Sequence, residues 1–332
     1  MSMNGGKGGD VRRPWGFRRA AAVALVAMLG VSSTVACSAV AELKAKMRFR
    51  EANAAYQAQN YEKSIELYEE TLRNDPNLTQ VYFYLGNSYD NLYRPGLREA
   101  DPANEARLAK AVENYELAAQ KLDKPEETKL KMLSLQYLAS AYGADKLNDP
   151  GKAEPVIQRM IQSDPQDPAN YYALAELYED AGAYPEAEQM LIYGKDVKPN
   201  DSAGYMQLAG FYNRQGEFDK TIAALEQRAT LEPNNPEAYY MISTYYWDNA
   251  QRNVALREAE KMANVEKGLK AVERALQIRP DYLEALVYKG LLLRTEALLE
   301  KNPAKQQELI KEATQLQSQA EEIKKKKTAG AN

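Results

Sequence analysis

Tyr171-Tyr-Ala-Leu-Ala-Glu-Leu-Tyr178 and Tyr205-Met-Gln-Leu-Ala-Gly-Phe-Tyr212 carry one pattern 34 residues apart. A tyrosine is followed by leucine and a small residue, and then by a second tyrosine. The pattern recurs as Tyr82-Leu85-Gly86-Tyr89, as Tyr239-Ile242-Ser243-Tyr246 and, with leucine leading, as Leu135-Leu138-Ala139-Tyr142. Steps of three and four put these residues on one stripe of a helix. The small residue lets a second helix approach closely. Pro165, Pro199 and Pro233 also follow one another at intervals of 34, each where a helix must end and a turn begin. A fixed period of this length predicts an all-α solenoid of helix-turn-helix pairs, in which each pair leaves an apolar face that only its neighbour covers. Function then belongs to a surface, not to a catalytic pocket.

The composition agrees with a surface role. The 332 residues are too many for one globular core, whereas a stacked array has no such limit. Histidine is absent. That removes the commonest general base, the commonest metal ligand and any Ser-His or Cys-His nucleophile pair. No phosphate-binding glycine loop and no nucleophile elbow appears. The chain therefore reads as non-catalytic, with no cofactor, no metal and no small-molecule substrate. It carries 43 basic and 47 acidic residues. Setting aside residues 1–37, which hold five of the basic and one of the acidic, leaves 38 against 46, a net charge of −8. An acidic body argues against nucleic acid and suits protein partners.

Residues 1–36 read as an export signal. Arg12, Arg13, Arg18 and Arg19 precede an uncharged run from Ala20, and Cys37, the only cysteine, closes it. Thr34-Val35-Ala36-Cys37 resembles the lipobox of bacterial lipoproteins, which implies lipidation at Cys37 and a short tether over 37–44. Two other readings stay open. An ordinary peptidase could cut after Ala36 or Ala41. Alternatively the 22 uncharged residues from Ala20 to Ala41 could remain as a membrane anchor. All three export the body. Ser38, in place of the aspartate linked to inner-membrane retention in such lipoproteins, points by that resemblance to the outer membrane.

The repeat resembles the tetratricopeptide repeat (TPR) family, whose signature is W-x₂-L-G-x₂-Y…A-x₃-F…P. The resemblance implies a right-handed superhelix of about seven helix pairs over 45–300. Ala187, Leu191, Gly194 and Pro199 are second-helix landmarks of the fourth repeat, and Thr221, Leu225 and Pro233 of the fifth. Arg228 stands where the family prefers a small residue. Insertions fall near 92–107, 143–149 and 248–265. Asp101-Pro102 reads as an N-cap and first helical residue. A C-terminal helix over 301–326, started by Asn302-Pro303, is expected to close the array, followed by a disordered tail at 327–332.

In the family, first helices line a concave groove. The stripe beside each leading tyrosine would supply the ligand-facing residues: Phe83, Asn87 and Asp90; Tyr172, Glu176 and Glu179; Met206 and Asn213; Tyr240, Thr244 and Trp247; with Asn53 at the equivalent place in the first repeat. The family's chaperone-binding members hold a peptide carboxylate with Lys, Asn and Arg. Here acidic residues occupy the cation positions, so a neutral or basic protein segment is expected. The resulting expectation is a protein-interaction scaffold of the bacterial cell envelope, within an assembly or export complex. The alternative is a glycan- or wall-binding protein that stacks sugars on the same aromatics.

Overall fold

The computed structural model describes residues 40–97 and 101–329. Among them all regular structure is helical. Fourteen α-helices follow one another in seven pairs, with two short 3-10 turns. They are α1 (40–57), α2 (Tyr61–Asn74), α3 (Gln80–Leu92), α4 (Pro102–Lys121), α5 (Thr128–Tyr142), α6 (Pro150–Ser163) and α7 (Pro168–Asp180). Then come α8 (Tyr184–Val197), α9 (Ser202–Arg214), α10 (Phe218–Leu231), α11 (Pro236–Arg252), α12 (Glu258–Ile278), α13 (Leu283–Leu299) and α14 (Pro303–Ala329). The chain divides into two compact units, one ending at Ala153 and the other beginning at Glu154.

The repeat period has a local mechanism at each end of a first helix. Asp167, Asp201 and Asn235 lie just before first helices α7, α9 and α11, and Asp101 lies just before second helix α4; each side chain accepts the backbone N–H two residues on. That satisfies one of the orphan donors of the first turn. Tyr171 then donates from its hydroxyl to the carbonyl of Pro165, and Tyr82 and Tyr239 do the same to Pro76 and Pro233. The leading tyrosine thus ties its helix to the turn six residues earlier, which is why tyrosine and proline keep a constant offset. Between the helices of a pair, Gly182 and Gly216 adopt φ of +74° and +73°, a left-handed turn that side chains resist. The first repeat makes the same turn with Gln59 at φ +58°.

In the N-terminal unit, Ala52 of α1, Leu67 and Tyr68 of α2, and Val81 and Leu85 of α3 form one buried cluster. In the C-terminal unit a cluster runs from Ala175 of α7 through Leu208, Leu225 and Ile242 to Tyr246 of α11. A second gathers Val265, Val272 and Leu292 around α12 and α13. These are the apolar stripes expected from the period.

Two boundaries differ from the sequence expectation. Residue 40 is already helical, so α1 takes in much of the expected tether at 37–44. Instead of ending before 327, α14 continues to Ala329, with Lys326 and Lys327 in a last turn where cations oppose the helix dipole. The inserted sequence enters helices as well as loops: α4 and α12 run 20 and 21 residues, against 14 for α2, α8 and α10. Cys37, the expected signal segment at 1–36 and residues 330–332 lie outside the described residues.

Burial of so many phenols has a pH consequence. Tyr68, Tyr89, Tyr115 and Tyr212 are all held well above the ordinary phenol range, in each case chiefly by desolvation, with a carboxylate nearby adding to it at Tyr89, Tyr115 and Tyr212. A group whose pKa is higher folded than unfolded contributes stability that is intact below the unfolded value and lost as pH rises past it. Helix content should therefore hold to about pH 9.5 and fall cooperatively above about pH 10, the unfolded phenol value. Ultraviolet absorbance of tyrosinate, followed beside ellipticity, should lag and then rise with the loss of helix. If all the tyrosines ionise near pH 10 while the helices persist, the burial account fails.

Candidate protein-binding face

The stripe proposed from the sequence meets two different fates. In the N-terminal unit it turns inward. Phe83 is 6% exposed and Asn87 4%, so both leave the surface where sequence reasoning put them. Phe83 meets Tyr84 and Tyr137 edge-on, with centroids 5.3 and 5.8 Å away. Asn87 accepts the Tyr56 hydroxyl at 2.7 Å and donates to the Tyr115 hydroxyl at 3.2 Å. Tyr115, fully buried on α4, donates in turn to Asp90 at 3.2 Å. Asp90 also receives Lys146 Nζ at 2.6 Å, the side chains being only 7% and 19% exposed. Asn53 accepts the Tyr68 hydroxyl at 2.7 Å. Each polar side chain of the stripe in this unit already makes at least one hydrogen bond.

The two residues that close this network were absent from the sequence reading. Tyr115 sits on a second helix, outside the stripe counted along first helices. Lys146 comes from the inserted turn at 143–149 and reaches back 56 positions to Asp90. Sequence spacing carries no signal for such a contact.

In the C-terminal unit the stripe stays partly open. Tyr172 is the exception: its ring lies against Gly194, where a Cβ would fall 2.3 Å from the ring, and its hydroxyl end approaches Gly204. It is a packing residue between α7, α8 and α9. Met206 and Met241 flank the buried Arg228, whose Nη1 lies 3.1 and 2.8 Å from their sulfurs, while its Nε donates to Glu232. The departure from a small residue at Arg228 is thus absorbed by two pliable thioethers and two carboxylates, Glu232 and, at 3.8 Å, Glu237. Glu179 takes both arms of Arg214, at 2.7 and 2.8 Å, linking α7 to α9. The hydrogen bond to Arg214 holds the Glu179 carboxyl below the usual range. Arg214, nine positions after its leading tyrosine, was also missed.

Beyond this fork lie the open residues. Glu176 and Asn213 are exposed, and Tyr240, Thr244 and Trp247 are half-buried. Tyr240 and Trp247 stand edge-on to Tyr288 of α13, at 5.3 and 5.6 Å, which makes an aromatic plate across α11 and α13. Burial, with Tyr288 beside it, pushes the Tyr240 phenol up to about 12. Thr244 spends its hydroxyl on the Met241 carbonyl. No cluster of three or more metal-ligating side chains occurs among the described residues. No helix among them is long and apolar enough to cross a membrane.

Helix pairs stacked with repeated caps define an all-helical repeat solenoid. The sequence matches the tetratricopeptide repeat family over residues 39–92 and again over 146–210. These two stretches are tetratricopeptide repeats, a repeat that generally mediates protein–protein interaction. Among solved structures, the C-terminal part of a TPR repeat-containing protein from Cytophaga hutchinsonii has the same fold: TM-score 0.54, 16% identity, covering 83% of this chain and 98% of that one. A tetratricopeptide repeat protein from Parabacteroides merdae aligns over 82% and 99% at 15% identity and TM-score 0.45. MamA aligns over 55% and 92% at 20% identity and TM-score 0.37. No curated protein matches the sequence.

Proposed function

We propose that this protein is an exported, membrane-tethered scaffold of the bacterial envelope that holds a segment of another protein on the first-helix face of its C-terminal unit. The observation that carries the site is the contrast between the units. The N-terminal stripe is closed by its own hydrogen bonds, whereas in the C-terminal unit Tyr240, Trp247 and Tyr288 leave a half-buried aromatic plate, and Glu176 and Asn213 are exposed. Aromatic groups present large contact area at low entropic cost. The carboxylates on this unit's first helices, Glu284 close to Tyr240 and Glu176 close to Arg214, favour a neutral or basic segment with an apolar anchor. Export and tethering rest on the arginine-rich start, the apolar run and Cys37.

One experiment tests both halves. The full chain is expressed in a bacterium as wild type, Cys37→Ala and Trp247→Ala with Glu176→Arg, and each form is fractionated, weighed intact and cross-linked in the envelope. The wild type should carry a lipid-sized added mass and sediment with membrane, and Cys37→Ala should lose both. The face variant should keep its helix content yet lose its cross-linked partner by at least about 30-fold in affinity, the scale of an aromatic hot spot. A soluble, unmodified wild type would sink the tether. A partner indifferent to the face variant would sink the site. Binding of purified cell wall that the face variant abolishes would replace the protein partner with a glycan.

A further inference from the structure

We infer that the C-terminal unit has a second binding site, a cleft between second helices α10 and α12, and that it takes an acidic protein segment bearing an apolar side chain. The cleft encloses about 720 Å³, within the range of roughly 300–1,000 Å³ usual for ligand sites. Its floor is the leading stripe of α11: Tyr239, Ile242 and Tyr246. Tyr240 and Trp247 belong to the other stripe of the same helix. The two sites therefore lie on different faces of α11 and can be occupied together.

The wall carries the specificity. Lys267, Lys270 and Arg274 are spaced three and four apart, so they share one face of α12, and all three are exposed. Their partners are unusual for cations in an acidic chain. Lys267 lies 5.8 Å from the centroid of Tyr246, and the Arg274 guanidinium 5.7 Å from that of Tyr239. Arg274 otherwise donates to neutral oxygens, those of Gln277 and of the Pro233 carbonyl. Lys270 has no ion-pair partner among the described residues. Of the two carboxylates that line the cleft, Glu273 is bonded to Lys289 at 3.3 Å, which leaves Glu226 facing three cations. Cations held over rings keep donors and charge free for an incoming carboxylate. The apolar floor beneath them has room for one or two side chains. Charge complementarity therefore specifies an acidic segment, and the floor specifies its apolar anchor.

The test is a random-heptamer display selection on the intact chain, with binding of the recovered peptides then measured by fluorescence anisotropy. Recovered sequences that bind this cleft should be net negative with at least one aliphatic or aromatic residue. They should bind at least about tenfold more weakly to Lys267→Gln, Lys270→Gln, Arg274→Gln combined, and weaken similarly when salt rises past the screening limit. Arg274→Lys should retain binding, and Trp247→Ala should bind as wild type, which separates this cleft from the first-helix face. The altered side chains are exposed and glutamine keeps part of their stems, so melting curves should match wild type. Selection of peptides without acidic bias, affinity unchanged in the triple variant, or equal binding of polyglutamate lacking any apolar residue would each overturn the site.

Discussion

Tyr115→Ala is expected to cost the N-terminal unit about 3–5 kcal/mol, the range for deleting a buried aromatic ring. Two effects add. The ring is fully buried and stacks on Tyr137 at 5.5 Å, so its removal leaves a cavity that helices α3 and α4 cannot close without moving. Its hydroxyl also joins Asn87 to Asp90, and both lose a partner. Tyr115→Phe separates the two effects. It keeps the ring and should cost about 1–2 kcal/mol, the scale of leaving a buried amide donor unpaired. Urea unfolding gives the magnitudes, and hydrogen exchange should place the lost protection in α3, α4 and α5. If alanine and phenylalanine cost the same, the cavity contributes nothing and the packing account is wrong. Such a loss should stay largely local, because each repeat is stabilised by its neighbours.

The second large effect is a reversal of sign at Gly194. Alanine is the better helix former by about 1 kcal/mol, so Gly194→Ala should stabilise an isolated helix. In the folded protein its Cβ would stand 2.3 Å from Cε1 and 2.7 Å from Cδ1 of Tyr172. That ring has little freedom to retreat, because its hydroxyl end packs closely over Gly204 of α9. Overpacking of this kind costs about 1–3 kcal/mol and outweighs the helical gain. Tyr172→Ala alone should cost about 2–3 kcal/mol, somewhat under the buried-aromatic range because the ring is half-buried. With Tyr172 already alanine the clash disappears, and Gly194→Ala should then stabilise by about 0.5–1 kcal/mol. Thermal and urea unfolding of the four proteins would measure the coupling. The same sign of Gly194→Ala in both backgrounds would refute the contact. The result also bears on function: Tyr172→Ala tests stability, so Trp247 and Glu176 are the residues with which to test binding.

How much of the candidate site was legible differs between the two units. Counting one, five and eight residues from each leading tyrosine picked out Glu176 on α7, which is exposed, and Thr244 and Trp247 on α11, which are half-buried. The same count failed as a guide to exposure at Phe83 and Asn87. Periodicity assigns a residue to a side of its own helix. It does not say which side chains from other helices cover that side. In the N-terminal unit the cover comes from Tyr115 on a second helix and from Lys146 in an insertion whose length has no period. Arg214 was missed for a related reason: it lies one position past the counted stripe, and only the approach of α7 to α9 brings Glu179 within reach of its fork.

The sequence by itself determined the fold class, the number of helix pairs, the cap-and-proline start of the repeats and the apolar stripes, because these follow from interactions among residues a few positions apart. It also determined the absence of histidine chemistry and the exceptional character of residues 1–37. The tertiary structure alone decided which parts of the stripe are spent internally, which tyrosines are packing and which are surface, and where cations gather without carboxylate partners. Those outcomes depend on side chains from neighbouring repeats competing for the same space and the same hydrogen bonds, and a competition across 30 to 60 residues of chain leaves no local mark in the sequence.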